Sequence, residues 1–215
     1  MTLKLHNYFR SSTSTRLRAA LNLKGLAYEY LGVHLPKGAH RDPDYTEINP
    51  QGLVPALELE DGTVLTQSLA IMEWLDEAHP ARPLLPAEPK ARARVRALGQ
   101  MIALEIHPIN NLRVLTYIDA TFGAGDSGKR AWVNHWVHTT FAPLEQMLAG
   151  SDQTGTYCHG ETPGYADCCL YAQMWNNARF EVDMSPYPVI RRIHAALDEL
   201  PAFADAAPGR QPDAL

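Results

Sequence analysis

The stretch Leu3–Gly25, LKLHNYFRSSTSTRLRAALNLKG, changes its period in the middle. From Leu3 to Phe9 apolar and polar side chains alternate, as in a half-buried strand. From Thr15 onward Leu17, Ala20, Leu21 and the stem of Lys24 fall at helical spacing, and Gly25 ends the helix. LAYEYLGV, residues 26–33, then reads as a second strand. A helix between two strands at this length is a βαβ unit.

Beyond a polar loop, KGAHRDPDYTEINP, come two short strands, LVPALEL and VLTQ, joined by the hairpin signal of Asp61-Gly62. SLAIMEWLDEAH, residues 68–79, is an amphipathic helix with Ser68 as its expected N-cap. The order βαβ then ββα is thioredoxin-like. The proline-bearing run at 81–90 reads as a linker, and everything after it has helical periodicity. The expected organisation is a thioredoxin-like α/β domain at 1–80, the linker, and an all-α domain at 91–215. The tail APGRQPDAL is expected to be loosely ordered.

Composition narrows the functional classes. The chain has 215 residues, 46% apolar and 20% charged, with a net charge of -5 and no long charge run. That gives no broad attraction to nucleic acid or anionic membranes, so an anion must be bound locally. No apolar run approaches the roughly 18 residues of a membrane span, and MTLKLHNYF lacks the pattern of a signal peptide. The three cysteines, Cys158, Cys168 and Cys169, suggest no disulfide framework. These features lead us to expect a cytoplasmic protein.

The run Ser11-Ser12-Thr13-Ser14 lies where a strand enters a helix, and the helix N-terminus there presents unpaired N–H groups and a positive dipole end. One hydroxyl can serve as the cap; four exceed what capping needs, and Arg10 can face the same place. No glycine is present to wrap a phosphate, and no Cys-x-x-Cys is present for redox chemistry. A thiol used here would arrive with a ligand.

The stretch resembles the N-terminal signature of the zeta-class glutathione transferases, the maleylacetoacetate and maleylpyruvate isomerases. Thr13 stands at the family's cysteine position. NPQGLVPAL, QSLAIMEWL, LLP, EIHPINN and YADCCL follow in family order, so the resemblance covers essentially the whole chain. It implies the glutathione transferase fold, glutathione as cofactor, a dianionic small-molecule substrate and a homodimer.

The resemblance also implies residue roles. Ser11, Ser12 and Thr13 would face the glutathione thiolate. Val54, before an expected cis Pro55, would pair with the ligand backbone like an added strand. Gln67 and Ser68 would take its γ-glutamyl end, and His40 and Gln51 lie near its glycyl end. His107 and Asn111 would contact glutathione, while Arg10, Arg113 and Arg179 would grip substrate carboxylates. Read without the family, EIHPINN also fits a helix broken at Pro108 and capped by its asparagines, with His107 a core histidine.

Thr13 leans the substrate toward maleylpyruvate rather than maleylacetoacetate. Two rivals differ in class: a general transferase conjugating electrophiles, and a non-catalytic protein of the same fold used for interaction. His135 and His138 have metal-compatible spacing with no third ligand identifiable, so no metal is expected. Cys168 and Cys169 read as packing. Asp167 is expected to serve the start of a helix capped by Gly164.

Overall fold

A computed structural model describes residues 3–214 of the chain. It divides into two compact units, Met1–Leu84 with Leu200–Leu215, and Leu85–Glu199.

The first unit begins with β1 (Leu3–Asn7), α1 (Ser12–Lys24) and β2 (Tyr28–Gly32). It continues with α2 (Pro43–Ile48), β3 (Ala56–Glu58), β4 (Val64–Thr66) and α3 (Ser68–Ala78). The sheet order is β2-β1-β3-β4: β1 is parallel to β2 and antiparallel to β3, with Leu5 opposite both Tyr30 and Leu57. This is the thioredoxin-like arrangement expected from the period changes. Its core is built from Leu5, Leu17, Ala20, Leu21, Leu57, Ile71 and Leu75, all fully buried. Leu17, Ala20 and Leu21 are the stripe that marked α1 in the sequence.

Four local expectations need correction. Helix α1 starts at Ser12, with Ser11 as N-cap, so Ser12, Thr13 and Ser14 occupy its first turn rather than preceding it. The polar loop contains α2, because Pro43 fits a first helical position and Tyr45 buries its ring. The N-cap of α3 is Gln67, and Ser68 is its first helical residue. The run 81–90 is not wholly a linker, since α4 begins at Pro89 behind the Glu88 cap.

The second unit holds α4 (Pro89–Glu105), α5 (Leu112–Phe122), α6 (Gly125–Ala149), α7 (Tyr165–Arg179) and α8 (Pro188–Asp198). Its core includes Val133, Val137, Phe141, Leu170, Ile190 and Ile193. Cys168 and Cys169 are buried in the first turns of α7, and all three cysteines are free. Asp167 accepts from the N–H groups of Gly164, at 2.8 Å, and Cys158, at 2.9 Å. It thus serves that helix start as expected. Burial pushes its carboxyl up, and these two N–H bonds oppose the shift.

The largest departure is at the chain's end. Residues after Leu200, expected to close the helical domain in a loose tail, form α9 (Pro201–Ala204) and a 3-10 turn, Pro208–Arg210, and belong to the first unit. Phe203 is fully buried, and the Gln211 amide donates to the carbonyls of Asp205 and Ala207 at 2.7 and 2.8 Å. No helix among the described residues is long and apolar enough to cross a membrane.

Candidate active site

Each sequence-derived candidate is placed within its own unit. In the first, Ser11 accepts the Ser14 N–H at 3.3 Å and so caps α1. Its Oγ lies 2.7 Å from Thr13 Oγ1, and Thr13 Oγ1 donates to the Val54 carbonyl at 2.8 Å. The hydroxyls and the peptide before Pro55 therefore form one chain of hydrogen bonds. No acidic residue occupies the first turn of α1, so its positive end is uncompensated there. Ser12 is buried and takes no part in this chain of bonds.

The Val54–Pro55 peptide bond is cis. Two residues that the sequence did not single out orient it: the Tyr45 hydroxyl and the Asn49 amide both donate to the Leu53 carbonyl, at 2.6 and 2.7 Å. Burial pushes the Tyr45 phenol up to about 12, so it stays a donor at neutral pH. The asparagine-proline pair at 49–50, a turn signal, was the available clue. Gly52 must be glycine: its φ is +60°, and a Cβ would meet the His40 carbonyl at 2.8 Å.

Gln67 holds φ 66° and ψ 103°, a conformation that costs a non-glycine residue. It makes no side-chain cap to α3; instead its amide donates to Gln51 Oε1 at 2.8 Å. Two exposed candidates are thereby joined, at the N-terminus where Ser68 begins the helix. His40 is half-buried, with Nδ1 fully enclosed and without a partner among the described residues. Burial first, and then neighbouring Arg41, hold its imidazole below the usual histidine range, against the pull of Asp42.

Arg10 is exposed, yet it is seated. Its guanidinium lies 5.0 Å from the centre of the Phe9 ring and donates to the Tyr8 hydroxyl at 3.1 Å.

In the second unit, helix α4 ends before the Ile106–Asn110 turn, where Pro108 was expected to disturb it. Asn111 caps α5, its Oδ1 accepting the Arg113 N–H at 3.2 Å. Asn110 is buried, and both polar atoms of its carboxamide lack partners among the described residues. Trp132 Nε1 holds the turn by donating to the Ile109 carbonyl at 3.0 Å. His107 is half-buried within the turn. Arg113 is exposed in the first turn of α5; Arg179, exposed at the end of α7, lies 5.2 Å from the centre of the Phe180 ring. Of the histidine pair, His138 is hydrogen-bonded to the Tyr187 hydroxyl at 2.7 Å and His135 packs edge-on against Trp136.

The model of the glutathione S-transferase N-terminal domain matches residues 10–78. Maleylpyruvate isomerase from Ralstonia sp is 50% identical over 211 residues, covering 98% of this chain and 99% of that one. A solved holo structure of maleyl pyruvate isomerase, a bacterial glutathione transferase in the zeta class, superposes with a TM-score of 0.96 at 50% identity and covers 98% and 99% of the two chains. This chain belongs to the zeta-class glutathione transferases, the family of the maleylpyruvate and maleylacetoacetate isomerases.

Another solved member of the zeta-class family, maleylacetoacetate isomerase from Methylobacterium extorquens AM1, contains malonate and glutathione. It superposes at TM-score 0.94 and 40% identity, over 97% and 98% of the two chains. The first unit of this zeta-class chain fits a thiol tripeptide on its own evidence. It offers an orphaned His40 nitrogen, the cis Val54–Pro55 edge, the uncapped first turn of α3 beside Gln67, and hydroxyls at the positive end of α1. Backbone strain at Gln67 and an unpaired buried polar atom are the costs a bound ligand relieves.

Proposed function

We propose that this chain is a glutathione-dependent cis–trans isomerase of a maleyl-type keto diacid, converting maleylpyruvate in preference to maleylacetoacetate. The full-length 50% identity to a maleylpyruvate isomerase supports this reading, together with a threonine, not the family's cysteine, at position 13. When bound, glutathione supplies a thiolate that adds reversibly to the substrate's double bond, which frees rotation about it.

The chain's residues have three tasks. The first is to hold that thiolate at neutral pH. By analogy with cysteine, lowering a thiol two units from about 8.5 takes about 2.7 kcal/mol of preferential stabilisation. A hydroxyl donor and the positive end of α1 are suited to supply it.

Counting protons ranks the hydroxyls. Thr13 has one proton and gives it to the Val54 carbonyl. The proton in the Ser11–Thr13 contact therefore belongs to Ser11, and Ser11 is the one able to turn toward sulfur. Thr13 is then the residue that keeps Ser11 in place.

The second task is to seat the tripeptide, with Gln67 and Ser68 at its γ-glutamyl end, Val54 along its backbone, and His40 and Gln51 at its glycyl end. His107 and Asn111 contribute from the second unit: Asn111 uses Oδ1 as a cap and keeps its amide to donate. The third task is to hold two carboxylates through the rotation and to stabilise the charge that develops on the substrate's carbonyl oxygen. Arg10, Arg113 and Arg179 supply guanidinium groups for this. We extend the reading to a homodimer in the cytoplasm, where three free, buried cysteines remain reduced.

The test is direct. Purified protein with glutathione should abolish the maleylpyruvate absorbance, with maleylacetoacetate the slower substrate. Separate Arg113→Ala and Arg179→Ala variants should raise KM for the diacid more than they affect glutathione binding. Turnover of chlorodinitrobenzene without isomerisation would instead mark a general conjugating transferase.

A further inference from the structure

We propose that Asp213, acting with Arg18, is a positioning residue for the turn that carries Arg10 and Ser11. The inference deepens the function proposed above and rests on that reading of the turn.

Phe9 lies between the end of β1 at Asn7 and the start of α1 at Ser12. Its backbone belongs to neither a strand ladder nor a helix, so its polar groups need other partners. Its N–H donates to Asp213 Oδ2 at 3.2 Å, across 204 positions of sequence. Its carbonyl accepts from Arg18 Nη2 at 3.0 Å.

Both grips are themselves fixed. The second oxygen of Asp213 accepts the Tyr30 hydroxyl of β2, and the carboxylate rests beside Gly32, where a Cβ would find it at contact distance of 3.5 Å. Arg18 is fully buried. Its Nε and Nη2 donate to the Ala206 carbonyl at 3.1 and 2.9 Å, its Nη1 to Asn7 Oδ1 at 2.8 Å, and its Nη2 also to Thr15 Oγ1 at 2.9 Å. The C-terminal segment thus supplies one grip on Phe9 directly and anchors the other.

What Phe9 carries gives the arrangement its consequence. Its ring underlies the Arg10 guanidinium, and the Ser11 N–H closes the turn onto the Tyr8 carbonyl at 3.0 Å. A shift of Phe9 therefore moves both the candidate carboxylate ligand and the candidate thiolate donor. An error of about 1 Å in such groups can cost as much as a hundredfold in rate.

The experiment compares full-length wild type with Asp213→Ala, Asp213→Asn and Asn22→Ala. Asn22 donates to the Ala202 carbonyl at 2.9 Å, so its loss loosens the same C-terminal segment without touching Phe9. Hydrogen exchange of residues 8–14 is read against residues 3–7, alongside glutathione Kd and the kinetics of maleylpyruvate isomerisation. Asp213→Ala should speed exchange at 8–14 about tenfold with 3–7 unchanged, raise glutathione Kd, raise KM for the diacid and lower kcat about tenfold.

Asp213→Asn should fall between the two, because an amide has one acceptor where the carboxylate uses both oxygens. Asn22→Ala should lower Tm and leave exchange at 8–14 and the kinetics as in wild type. Wild-type behaviour of Asp213→Ala overturns the proposal. So does a loss that includes equal deprotection of 3–7 and is reproduced by Asn22→Ala. If wild type binds glutathione but isomerises neither diacid, the functional reading fails; exchange and glutathione Kd in Asp213→Ala then still decide the positioning role.

Discussion

Ser11 and Thr13 share a 2.7 Å hydrogen bond in which Ser11 is the donor, because Thr13's only proton is given to the Val54 carbonyl. The two hydroxyls are therefore unequal. Ser11→Ala should cut kcat/KM by about ten- to a hundredfold, the worth of one hydrogen bond to a charged group. Thr13→Val should cost less, since it removes only the bond that holds Ser11. Ultraviolet titration of the bound thiol should show a pKa raised more by Ser11→Ala than by Thr13→Val. The reverse order would refute the proton inventory. Because Ser11 also caps α1, its alanine variant should lose about 1 kcal/mol of stability as well.

Gln67 ties backbone strain to ligand binding. Its φ of 66° is one that glycine adopts freely. Gln67→Gly should therefore leave the fold as stable or more stable, against a strain of about 1–3 kcal/mol, while glutathione binding weakens with the loss of the Gln67–Gln51 pair. Thermal melts with and without glutathione measure both effects. A variant that binds glutathione normally would show that the side chain is idle.

Lys24 is the buried hub at the end of α1. Its ammonium donates to Asp76 Oδ1 at 3.1 Å and to the carbonyls of His79 and Arg82 at 3.0 and 2.9 Å, and Asp76 also accepts the Leu84 N–H. Lys24→Met would leave Asp76 buried and without its cation. We expect a loss of about 3–5 kcal/mol in denaturant unfolding, typical of breaking one side of a buried pair. A change below about 1 kcal/mol would mean that Asp76 is satisfied by the backbone alone.

Glu88 gives α4 a pH-dependent cap. Its carboxylate accepts the N–H groups of Lys90 and Ala91 at 3.0 and 2.6 Å, and these two bonds hold its pKa below the model value of 4.5. A depressed carboxyl contributes stability that is present above pH 4.5 and is lost as pH falls through the folded value. The Tm difference between wild type and Glu88→Gln should therefore be largest at neutral pH and shrink on acidification below 4.5. A difference independent of pH would exclude the charged cap.

What could be read in sequence was local and periodic. The α1 stripe of Leu17, Ala20 and Leu21 repeats every three or four residues, and the same side chains form the core under the sheet. The Leu-Val-Pro-Ala motif carried the cis bond, since only proline lowers its cost. Helix α2 was hidden because its six residues are too few to show a period, and only the burial of Tyr45 holds it. Gln67, not Ser68, caps α3 because the chain turns with a positive φ, which residue preference does not reveal.

The sequence by itself determined the order of strands and helices, the family and the residue types gathered near Ser11. Each of these is set by near neighbours or by motifs in order along the chain. The tertiary structure alone decided which hydroxyl keeps a proton to give, because the deciding acceptor, the Val54 carbonyl, lies 41 positions from Thr13. It alone decided that the polar tail is an anchor: Asp213 meets Phe9 across 204 positions. A run of prolines, glycine and charges reads as disorder until the buried backbone groups that need those charges are in view.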